Sequence, residues 1–228
     1  MSEWDAFAPL YETWAADMTE DVAFYVDLAR QADGPIVELA VGTGRIAIPI
    51  AERTGKRVVG IDSSPGMLAV ARERAAAAGV GLDLREADMR DLELDEPTDL
   101  VICPFRALLH LPTWQARRQL FERVAASLRP GGRFAWNAFA FDHRIAVSLD
   151  GEWRDEPVRN RIDYFPTDNR IEITFEDRPG ISLWWVARSE WEGLLDVSGL
   201  ETEALYGWFD RRPFDNESRE FVWVARRA

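Results

Sequence analysis

Two glycines and one acid are spaced as in a site for a nucleoside. Gly42 and Gly44 follow a short apolar segment, and glycine permits a tight turn and a close approach of the backbone to a ligand. Asp62 stands 18 residues beyond Gly44 (62 − 44), at the end of the next apolar segment. An acid in that place can accept hydrogen bonds from ribose hydroxyls. These residues therefore predict nucleotide or nucleoside binding.

The glycine pattern alone leaves the kind of nucleotide open. Gly42, Gly44 and Ala47 also satisfy the Gly-x-Gly-x-x-Gly/Ala pattern of enzymes that bind dinucleotides. A P-loop is excluded, because no Gly-Lys-Ser/Thr follows.

The charge and the cysteine content exclude several classes of protein. The 228 residues contain 27 Lys and Arg against 40 Asp and Glu, a net charge of −13. This argues against binding to nucleic acid or to anionic membranes, both of which favour clustered cations. One cysteine, Cys103, excludes an internal disulfide, and two histidines (His110 and His143) leave little for a metal site. No signal peptide or membrane-length apolar run is recognised, so we expect a soluble, cytoplasmic protein that handles a small molecule.

Strands that alternate with helices predict a mostly parallel sheet. Apolar strand segments are expected at residues 35–40, 57–61, 81–86, 98–103 and 133–139, with helices at 45–53, 66–78 and 113–128. The first 30 residues have the spacing of one or two amphipathic helices. After Asp142, strands at 152–155, 158–165, 170–177 and 181–188 follow each other without a helix and predict an antiparallel insertion. Ser189 to Glu192 fits a capping box that opens a helix ending at Gly199, before strands at 200–209 and 219–226.

Four segments, in this order, carry a resemblance to a known family. They are Glu38-Leu-Ala-Val-Gly-Thr-Gly44, Gly60-Ile-Asp-Ser-Ser-Pro-Gly-Met-Leu68, Glu86-Ala-Asp-Met89 and Leu128-Arg-Pro-Gly-Gly132. Together they resemble the class I S-adenosylmethionine-dependent methyltransferases, small-molecule branch. One departure is Ala40, which stands where the family usually has its first glycine. The resemblance implies an α/β fold with a Rossmann-like doubly wound sheet of seven strands, the last two forming a hairpin with one antiparallel strand.

The residue pattern, taken with the resemblance, divides one methyltransferase domain, residues 1–228, into four parts. Residues 1–34 form an N-terminal helical cover, and residues 35–141 form the core that binds the cofactor. Residues 142–188 form the antiparallel insertion on the acceptor side, and residues 189–228 supply the final helix and strand pair.

Each matched residue acquires an implied role toward S-adenosyl-L-methionine. Asp62 would hold the ribose hydroxyls, Asp88 would accept from the adenine amino group, and the Cys103 carbonyl would face the methionine amine. Carboxylates and carbonyls suit a cofactor with an ammonium and a sulfonium and no phosphate. Outside the motif, Asp88 is equally well read as a solvated acid in a turn. The complete expected cofactor set is Tyr11, Glu38, Ala40, Gly42, Gly44, Asp62, Ser63, Met67, Asp88, Met89, Cys103 and Pro104.

The acceptor side is expected beyond the carboxyl ends of the strands, where open α/β sheets bind ligands. His110 is the candidate general base, because His110-Leu111 resembles a His-Leu pair near the acceptor in sugar-amine N-methyltransferases. The alternative is a buried histidine at a helix end with a backbone partner. Tyr11, on the N-terminal helix with Trp14, is the second catalytic candidate, since an N-terminal tyrosine often closes over the cofactor in this family. The other expected acceptor-side residues are Arg106, Asn137, His143, Trp184 and Trp185.

Adjacent strand residues face opposite sides, so Trp184 and Trp185 cannot both lie in the core. One of them is thus available to face an acceptor pocket, whose aromatic wall would suit an apolar or cationic acceptor. The alternative is that the aromatic residues of the insertion simply pack against the sheet.

The predicted function is transfer of a methyl group to a small-molecule acceptor, on nitrogen or oxygen, by in-line displacement. The protein is expected to be a monomer or homodimer that binds no metal. One alternative is a module that binds the cofactor without catalysis. Another is an NAD-dependent oxidoreductase, which Asp88-Met89 and Leu128–Gly132 disfavour. An RNA methyltransferase is disfavoured by the charge of −13.

Overall fold

The computed structural model describes Tyr11 and residues 18–155, 158–176 and 180–228. In these residues the strands are β1 (Ile36–Leu39), β2 (Val58–Asp62), β3 (Asp83–Glu86), β4 (Thr98–Cys103), β5 (Leu128–Phe139), β6 (Trp153–Arg154), β7 (Asn160–Phe165), β8 (Arg170–Phe175), β9 (Ile181–Trp184), β10 (Leu200–Tyr206) and β11 (Glu220–Arg227). The helices are α1 (Glu20–Gln31), α2 (Ala47–Thr54), α3 (Pro65–Ala77), α4 (Trp114–Ser127), α5 (His143–Leu149) and α6 (Arg188–Ser198). Short 3₁₀ turns occupy Met89–Asp91, Ala107–His110 and Pro166–Asp168.

The main sheet has the strand order β10-β11-β5-β4-β1-β2-β3. Strands β1 to β5 pair in parallel, whereas β11 is antiparallel to both of its neighbours, β5 and β10. This confirms the predicted seven-stranded, doubly wound α/β sheet with a hairpin at its end. The central strand β1 is buried along its whole length, as expected for a parallel strand covered by helices on both faces.

Side-chain caps start two of the helices that flank the sheet. The Ser64 hydroxyl accepts from the backbone N–H of Met67 at 3.1 Å, and Pro65 occupies the first helical position of α3. The Thr113 hydroxyl accepts from the N–H of Ala116 at 3.2 Å and starts α4. Helix α3 thus begins three residues after the end of β2, whereas a longer segment with the 3₁₀ turn Ala107–His110 separates β4 from α4.

The second sheet, β6-β7-β8-β9, is antiparallel, as the sequence predicts for the insertion. Its inward side chains alternate along β8 and β9 and join the same hydrophobic core as the main sheet. They are Ile171, Ile173, Phe175, Ile181 and Leu183. The insertion therefore packs on the main sheet through an apolar face.

Several sequence-based boundaries need correction. Helix α5 was not predicted; the side chain of Asp142 starts it by accepting from the N–H of Arg144 at 2.9 Å. The predicted capping box is wrong, because α6 begins at Arg188 with Ala187 as its cap residue and Ser189 lies inside the helix. Strand β5 begins at Leu128, five residues earlier than predicted.

The N-terminal cover is described only in part. Helix α1 buries Phe24, Tyr25, Val26 and Leu28 in a hydrophobic cluster with residues of β1, β4 and α2. Residues 1–10 and 12–17, which include Trp14, lie outside the described residues.

In the described part of the chain, no helix combines the length and apolarity that crossing a membrane requires.

Candidate functional site

A cavity of about 600 Å³ lies where the loops after the parallel strands meet the second sheet. Residues at or just after the ends of β1, β2 and β3 form one end, and Phe139 of β5 with β8 and β9 forms the other. The segment after β4 contacts both ends, since Phe105 touches Tyr11 and Arg106 touches Phe139. Its walls are made by Tyr11, Ala40, Gly42, Ile61, Asp62, Ser63, Met67, Ala87, Asp88, Met89, Arg90, Pro104, Phe105, Arg106, Ala107, His110, Leu111, Pro112, Phe139, Ile173, Ile181 and Leu183. This size is that of a pocket for a small organic ligand.

The two motif glycines have different functions in the turn after β1. Both have left-handed backbone, with φ of +54° at Gly42 and +79° at Gly44. A Cβ on Gly42 would stand 3.9 Å from Cε1 of Tyr11, on the cavity wall, so its absence lets a ligand approach the backbone. A Cβ on Gly44 would instead meet Cδ1 of Ile48 at 3.1 Å. Gly44 thus serves packing and does not line the cavity.

Asp62 is oriented by the backbone around it. Its Oδ2 accepts from the N–H of Gly42 at 2.8 Å, and its Oδ1 accepts from the N–H of Ser64 at 2.9 Å. Each carboxylate oxygen has two lone pairs, so these bonds fix the side chain and leave acceptor capacity for further donors. The carboxylate on the cavity wall is therefore preorganised for hydroxyl donors.

Ala40 stands in a conformation that favours glycine. Its φ is +52°, in the left-handed region, and it lies on the cavity wall at the end of β1. A side chain costs about 1 kcal/mol there. The position where the resembling family usually has glycine thus has a glycine-like backbone in this chain as well.

We expect Ala40→Gly to stabilise the protein by about 1 kcal/mol, which raises Tm by about 2–4 °C. Gly55→Ala is the matched reverse variant, because Gly55 has φ +67° and an added Cβ would have no atom of the described residues within 4 Å. It should lower Tm by a similar amount, since only the backbone preference changes. Scanning calorimetry measures both; a lower Tm for Ala40→Gly would show that the side chain at this position is not strained.

Asp88 and Met89 line the wall after β3, together with Arg90. The Asp88 carboxylate accepts from the Arg90 backbone N–H at 2.9 Å and from the Arg90 guanidinium. These hydrogen bonds lower the pKa of Asp88 below its ordinary value, so it stays ionised at neutral pH. Arg90 was not among the sequence-predicted site residues.

The loop after β4 holds two consecutive left-handed residues that are not glycine. Phe105 has φ +57° and Arg106 has φ +63°, a costly arrangement that persists only when contacts enforce it. The Phe105 ring packs edge-on against Tyr11, and the Arg45 guanidinium lies 4.8 Å from its centre. These contacts hold the loop against the cavity.

His110 ends the 3₁₀ turn after this loop and lies on the cavity wall. Its Nδ1 is 3.2 Å from the backbone carbonyl oxygen of Ser182 on β9. Because a carbonyl only accepts, Nδ1 carries the proton in the neutral ring, and Nε2 is the nitrogen able to accept one. Burial lowers the pKa of His110 to about 4, so the ring is neutral at physiological pH.

Protonation of His110 should destabilise the fold between pH 6.5 and 4. The unfolded chain takes up this proton near pH 6.5, whereas the folded chain does so near pH 4, so stability is lost as the pH falls through this range. The shift corresponds to about 3 kcal/mol at most. His110→Asn keeps a donor for Ser182 and removes the titration. The difference in unfolding free energy between wild type and variant should therefore change from pH 7 to 5, measured by urea titration; a constant difference would contradict the assignment.

A buried ion pair joins the N-terminal segment to the glycine turn. Arg45 donates to both carboxylate oxygens of Asp21, at 2.7 and 2.6 Å, and to the Met18 carbonyl at 2.8 Å. It also hydrogen bonds to the Tyr11 hydroxyl, although burial dominates and raises the pKa of Tyr11 to about 12. Tyr11 is therefore a neutral hydroxyl on the cavity wall.

Not every sequence-predicted site residue lines the cavity. Those on its wall are Tyr11, Ala40, Gly42, Asp62, Ser63, Met67, Asp88, Met89, Pro104, Arg106 and His110. Those not on it are Glu38, Gly44, Cys103, Asn137, His143, Trp184 and Trp185.

Two predicted residues are buried within the sheet. Glu38 is 3% exposed, and its Oε2 has no hydrogen-bond partner among the described residues. Burial raises the pKa of Glu38 well above its ordinary value. Cys103 is fully buried, and burial likewise raises the pKa of its thiol, which makes it unreactive.

Neither Trp184 nor Trp185 lies on the wall of the cavity. Trp185 stacks on Phe141 with ring centres 4.9 Å apart, and His143 lies edge-on beside both rings. Trp184 points to the opposite side from Leu183, and Leu183 is the residue on the wall. The residues of β8 and β9 that line the cavity, Ile173, Ile181 and Leu183, are all aliphatic.

The wall residues that sequence reasoning missed are mostly apolar. For those on β8 and β9 the only signal was the alternation along the strand, which does not tell which side faces a cavity; those after β4 and at the end of β5 had no such signal. They include Phe105, Leu111, Phe139, Ile173, Ile181 and Leu183.

Among the described residues there is no group of three or more His, Cys, Asp or Glu side chains that could hold a metal ion.

Comparison with known proteins shows what the chain is similar to. The family model described as a methyltransferase domain matches residues 36–132, which contain β1 to β4 and their loops. A demethylmenaquinone methyltransferase of Thermus thermophilus is 39% identical over 111 residues, 47% of this chain and 49% of that protein. A carboxy-S-adenosyl-L-methionine synthase of Wolinella succinogenes is 28% identical over 90% of this chain and 83% of that protein. A trans-aconitate 2-methyltransferase of Methylobacterium nodulans is 34% identical over 67% of this chain and 57% of that protein. The chain thus spans about half the length of the first and third of these relatives.

Solved structures match over nearly the whole chain. The CcbJ methyltransferase of Streptomyces caelestis has a TM-score of 0.76 and 26% identity over 92% of this chain and 94% of that one. An S-adenosylmethionine-dependent methyltransferase of Clostridium acetobutylicum has a TM-score of 0.83 and 14% identity over 100% of both chains. The S-adenosylmethionine-bound CalS10 of Micromonospora echinaspora has a TM-score of 0.71 and 23% identity over 98% and 97%.

The family model falls on the strands and turns that build one end of the cavity. The solved methyltransferases have the same fold, with TM-scores between 0.71 and 0.83. On these grounds, residues 36–132 are similar to a methyltransferase domain, and the whole chain has the fold of the solved S-adenosylmethionine-dependent methyltransferases.

Proposed function

We propose that this chain transfers a methyl group from S-adenosylmethionine to a small molecule with an apolar body and a neutral nucleophile, a hydroxyl or an amine. The observation that carries the proposal is the division of the cavity into a polar end and an apolar end. The polar end contains Asp62 and Asp88, and the apolar end is formed by the inward side chains of β8 and β9.

The polar end has the features that the cofactor requires. The glycine at position 42 leaves room for a ligand beside the backbone, and the Asp62 carboxylate is already oriented by two N–H groups. In this proposal Asp62 holds the ribose hydroxyls, and Asp88 and Met89 meet the adenine. Carboxylates suit the cationic cofactor, whereas a phosphate-bearing dinucleotide would favour a basic cradle.

The apolar end supports a small, uncharged acceptor. Its walls are Leu111, Pro112, Phe139, Ile173, Ile181 and Leu183. Apolar walls with few polar groups bind the body of a small organic molecule and use the polar groups to orient it. The net charge of −13 supports a small molecule over RNA as the substrate.

When bound, S-adenosylmethionine supplies a methyl group that is already activated. The work left to the chain is to orient the nucleophile and exclude water, and orientation can contribute about 7–11 kcal/mol to such a barrier. His110 is proposed to accept a hydrogen bond from the acceptor through Nε2, while Nδ1 stays fixed on Ser182. An in-line approach to the methyl group would come from the apolar end.

Leu183→Ala should raise KM for the acceptor about tenfold, because it removes about 1.5 kcal/mol or more of apolar contact. Trp184→Ala is the matched control on the same strand, since Trp184 does not line the cavity. It should leave KM unchanged. Steady-state kinetics measures both, and equal effects of the two variants would place the acceptor elsewhere.

The function is tested with sets of acceptors that share one apolar body. Cyclohexylamine, cyclohexanol and cyclohexanecarboxylate differ only in the nucleophile and its charge. Formation of S-adenosylhomocysteine with the amine or the alcohol, and not with the carboxylate, is expected. Trans-aconitate, which appears in the name of one relative, serves as a second anionic compound for comparison. Turnover of carboxylates alone would overturn the proposal.

A further inference from the structure

Arg106 is a cation on the cavity wall, and its charge is neutralised by a buried carboxylate that does not itself line the cavity. Its Nε lies 3.1 Å from both carboxylate oxygens of Glu220, and its Nη2 lies 2.9 Å from Oε2. The guanidinium also lies 4.1 Å from the centre of the Phe139 ring. Phe139 belongs to β5, which is on the opposite side of β4 from β1 and β2. Arg106 therefore stands at the acceptor end of the cavity.

Glu220 is buried and fixed by a chain of hydrogen bonds. Its side chain is 1% exposed, against 23% for Arg106, and it does not line the cavity. The Asn137 amide donates to Glu220 Oε1 at 2.5 Å, and the Tyr25 hydroxyl donates to Asn137 Oδ1 at 3.1 Å. Asn137, which the sequence placed on the acceptor side, thus supports Glu220 within the core. The carboxylate cannot turn away from Arg106 without breaking these bonds.

The other arginine of the wall, Arg90, is paired differently. Its partner Asp88 is two residues away on the same loop and is 34% exposed. Water and ligands reach both members of that pair, so its electrostatic effect is screened. At Arg106 only the cation is at the wall, and the anion that cancels it comes from β11. Removing the anion would leave an uncompensated positive charge beside the acceptor.

We propose that Glu220 sets the charge preference of the acceptor end, by pairing with Arg106 and so excluding acceptors that carry a carboxylate. This rests on the proposed function, because it assumes that the apolar end holds the acceptor. Arg106 would otherwise bind a carboxylate in the two-point geometry that guanidinium favours. Glu220 is thus a specificity-determining residue that does not touch the substrate. The bonds to Asn137 and Tyr25 keep it in place.

The test compares benzoate with benzamide, two probes of nearly equal shape that differ in charge. Their dissociation constants are measured by ligand-observed NMR with protein saturated by S-adenosylhomocysteine. In Glu220→Gln the affinity for benzoate relative to benzamide should rise at least about tenfold, as expected for one charge-assisted pair. Glu122→Gln, which breaks the exposed pair with Arg118, is the matched control and should change nothing. An unchanged ratio in Glu220→Gln, including no detectable binding of either probe, overturns the proposal.

A second variant keeps the test independent of whether Glu220→Gln folds. Because the pair carries no net charge in the wild type, the double variant Arg106→Gln/Glu220→Gln, which removes both charges together, should change the benzoate-to-benzamide ratio by no more than about twofold. A selective loss of benzoate binding in the double variant would show that the cation is already available in the wild type, and would overturn the proposal. The readout is binding of inert probes, so a failure of methyl transfer, which defeats the proposed function, does not alter it.

Discussion

Asp62→Ala is expected to weaken binding of S-adenosylhomocysteine about 100-fold. The substitution removes the proposed acceptor of the ribose hydroxyls, and hydrogen bonds to a charged group are each worth about 1.5–3 kcal/mol. It also leaves the N–H of Gly42 without its partner at 2.8 Å, which loosens the glycine turn. Calorimetric titration measures the change, with NAD⁺ titrated in parallel as the cofactor that should not bind.

Glu86→Ala is the matched control for this measurement. Glu86 stands directly opposite Asp62 in the pairing of β2 with β3, but it is exposed and does not line the cavity. Its removal should leave the dissociation constant unchanged. Equal losses in both variants would mean that general charge near the strand ends, and not the Asp62 carboxylate, holds the cofactor.

His110→Asn is expected to slow methyl transfer while leaving binding of S-adenosylhomocysteine within about twofold of wild type. The asparagine amide can replace Nδ1 toward Ser182, but nothing replaces Nε2. How far kcat decreases in His110→Asn depends on the chemistry of the acceptor. A hydroxyl becomes strongly acidic as it is methylated and gives its proton even to a base with a pKa of about 4, so kcat should fall about 10²-fold or more. A methylated amine keeps its proton against so weak a base, so only the orienting hydrogen bond is lost, and kcat should fall less than about tenfold.

The pH dependence separates these two cases. With a hydroxyl acceptor, wild-type kcat should fall on the acid side with an apparent pKa near 4, and this limb should be absent in His110→Asn. With an amine acceptor, kcat/KM should instead increase with pH in both proteins, because the amine must lose its proton to react. The midpoint of this increase should lie at the pKa of the free amine. A rate for His110→Asn equal to wild type at every pH, with either acceptor, would remove His110 from the mechanism.

The cofactor end of the cavity was largely predictable from local sequence. The glycine turn and Asp62 stand at the ends of short apolar strands, Asp88 follows the next predicted strand, and parallel strands bring their carboxyl ends to one edge. The sheet order follows from the same alternation of strands and helices, together with the resemblance. Glu38 and Cys103 lie on these strands but are buried between helices, because a parallel strand is covered on both faces.

The acceptor end was not predictable, because tertiary contacts form it. Alternation along β9 shows that Leu183 and Trp184 face opposite sides, but not which side meets the cavity. Asn137 and Glu220 are 83 residues apart and come together only through the pairing of β5 with antiparallel β11. Helix α5 has seven residues, too few for an apolar period to stand out, although Asp142 is a recognisable cap.

The most direct test of the account is a crystal structure of the protein with S-adenosylhomocysteine. We expect the ribose hydroxyls on Asp62, the adenine beside Asp88 and Met89, and the sulfur directed toward His110 and Phe139 at the apolar end. That orientation leaves the space between β8, β9 and the sulfur for the acceptor. A nucleoside bound away from Asp62, or a sulfur directed away from the second sheet, would contradict the proposed division of the cavity.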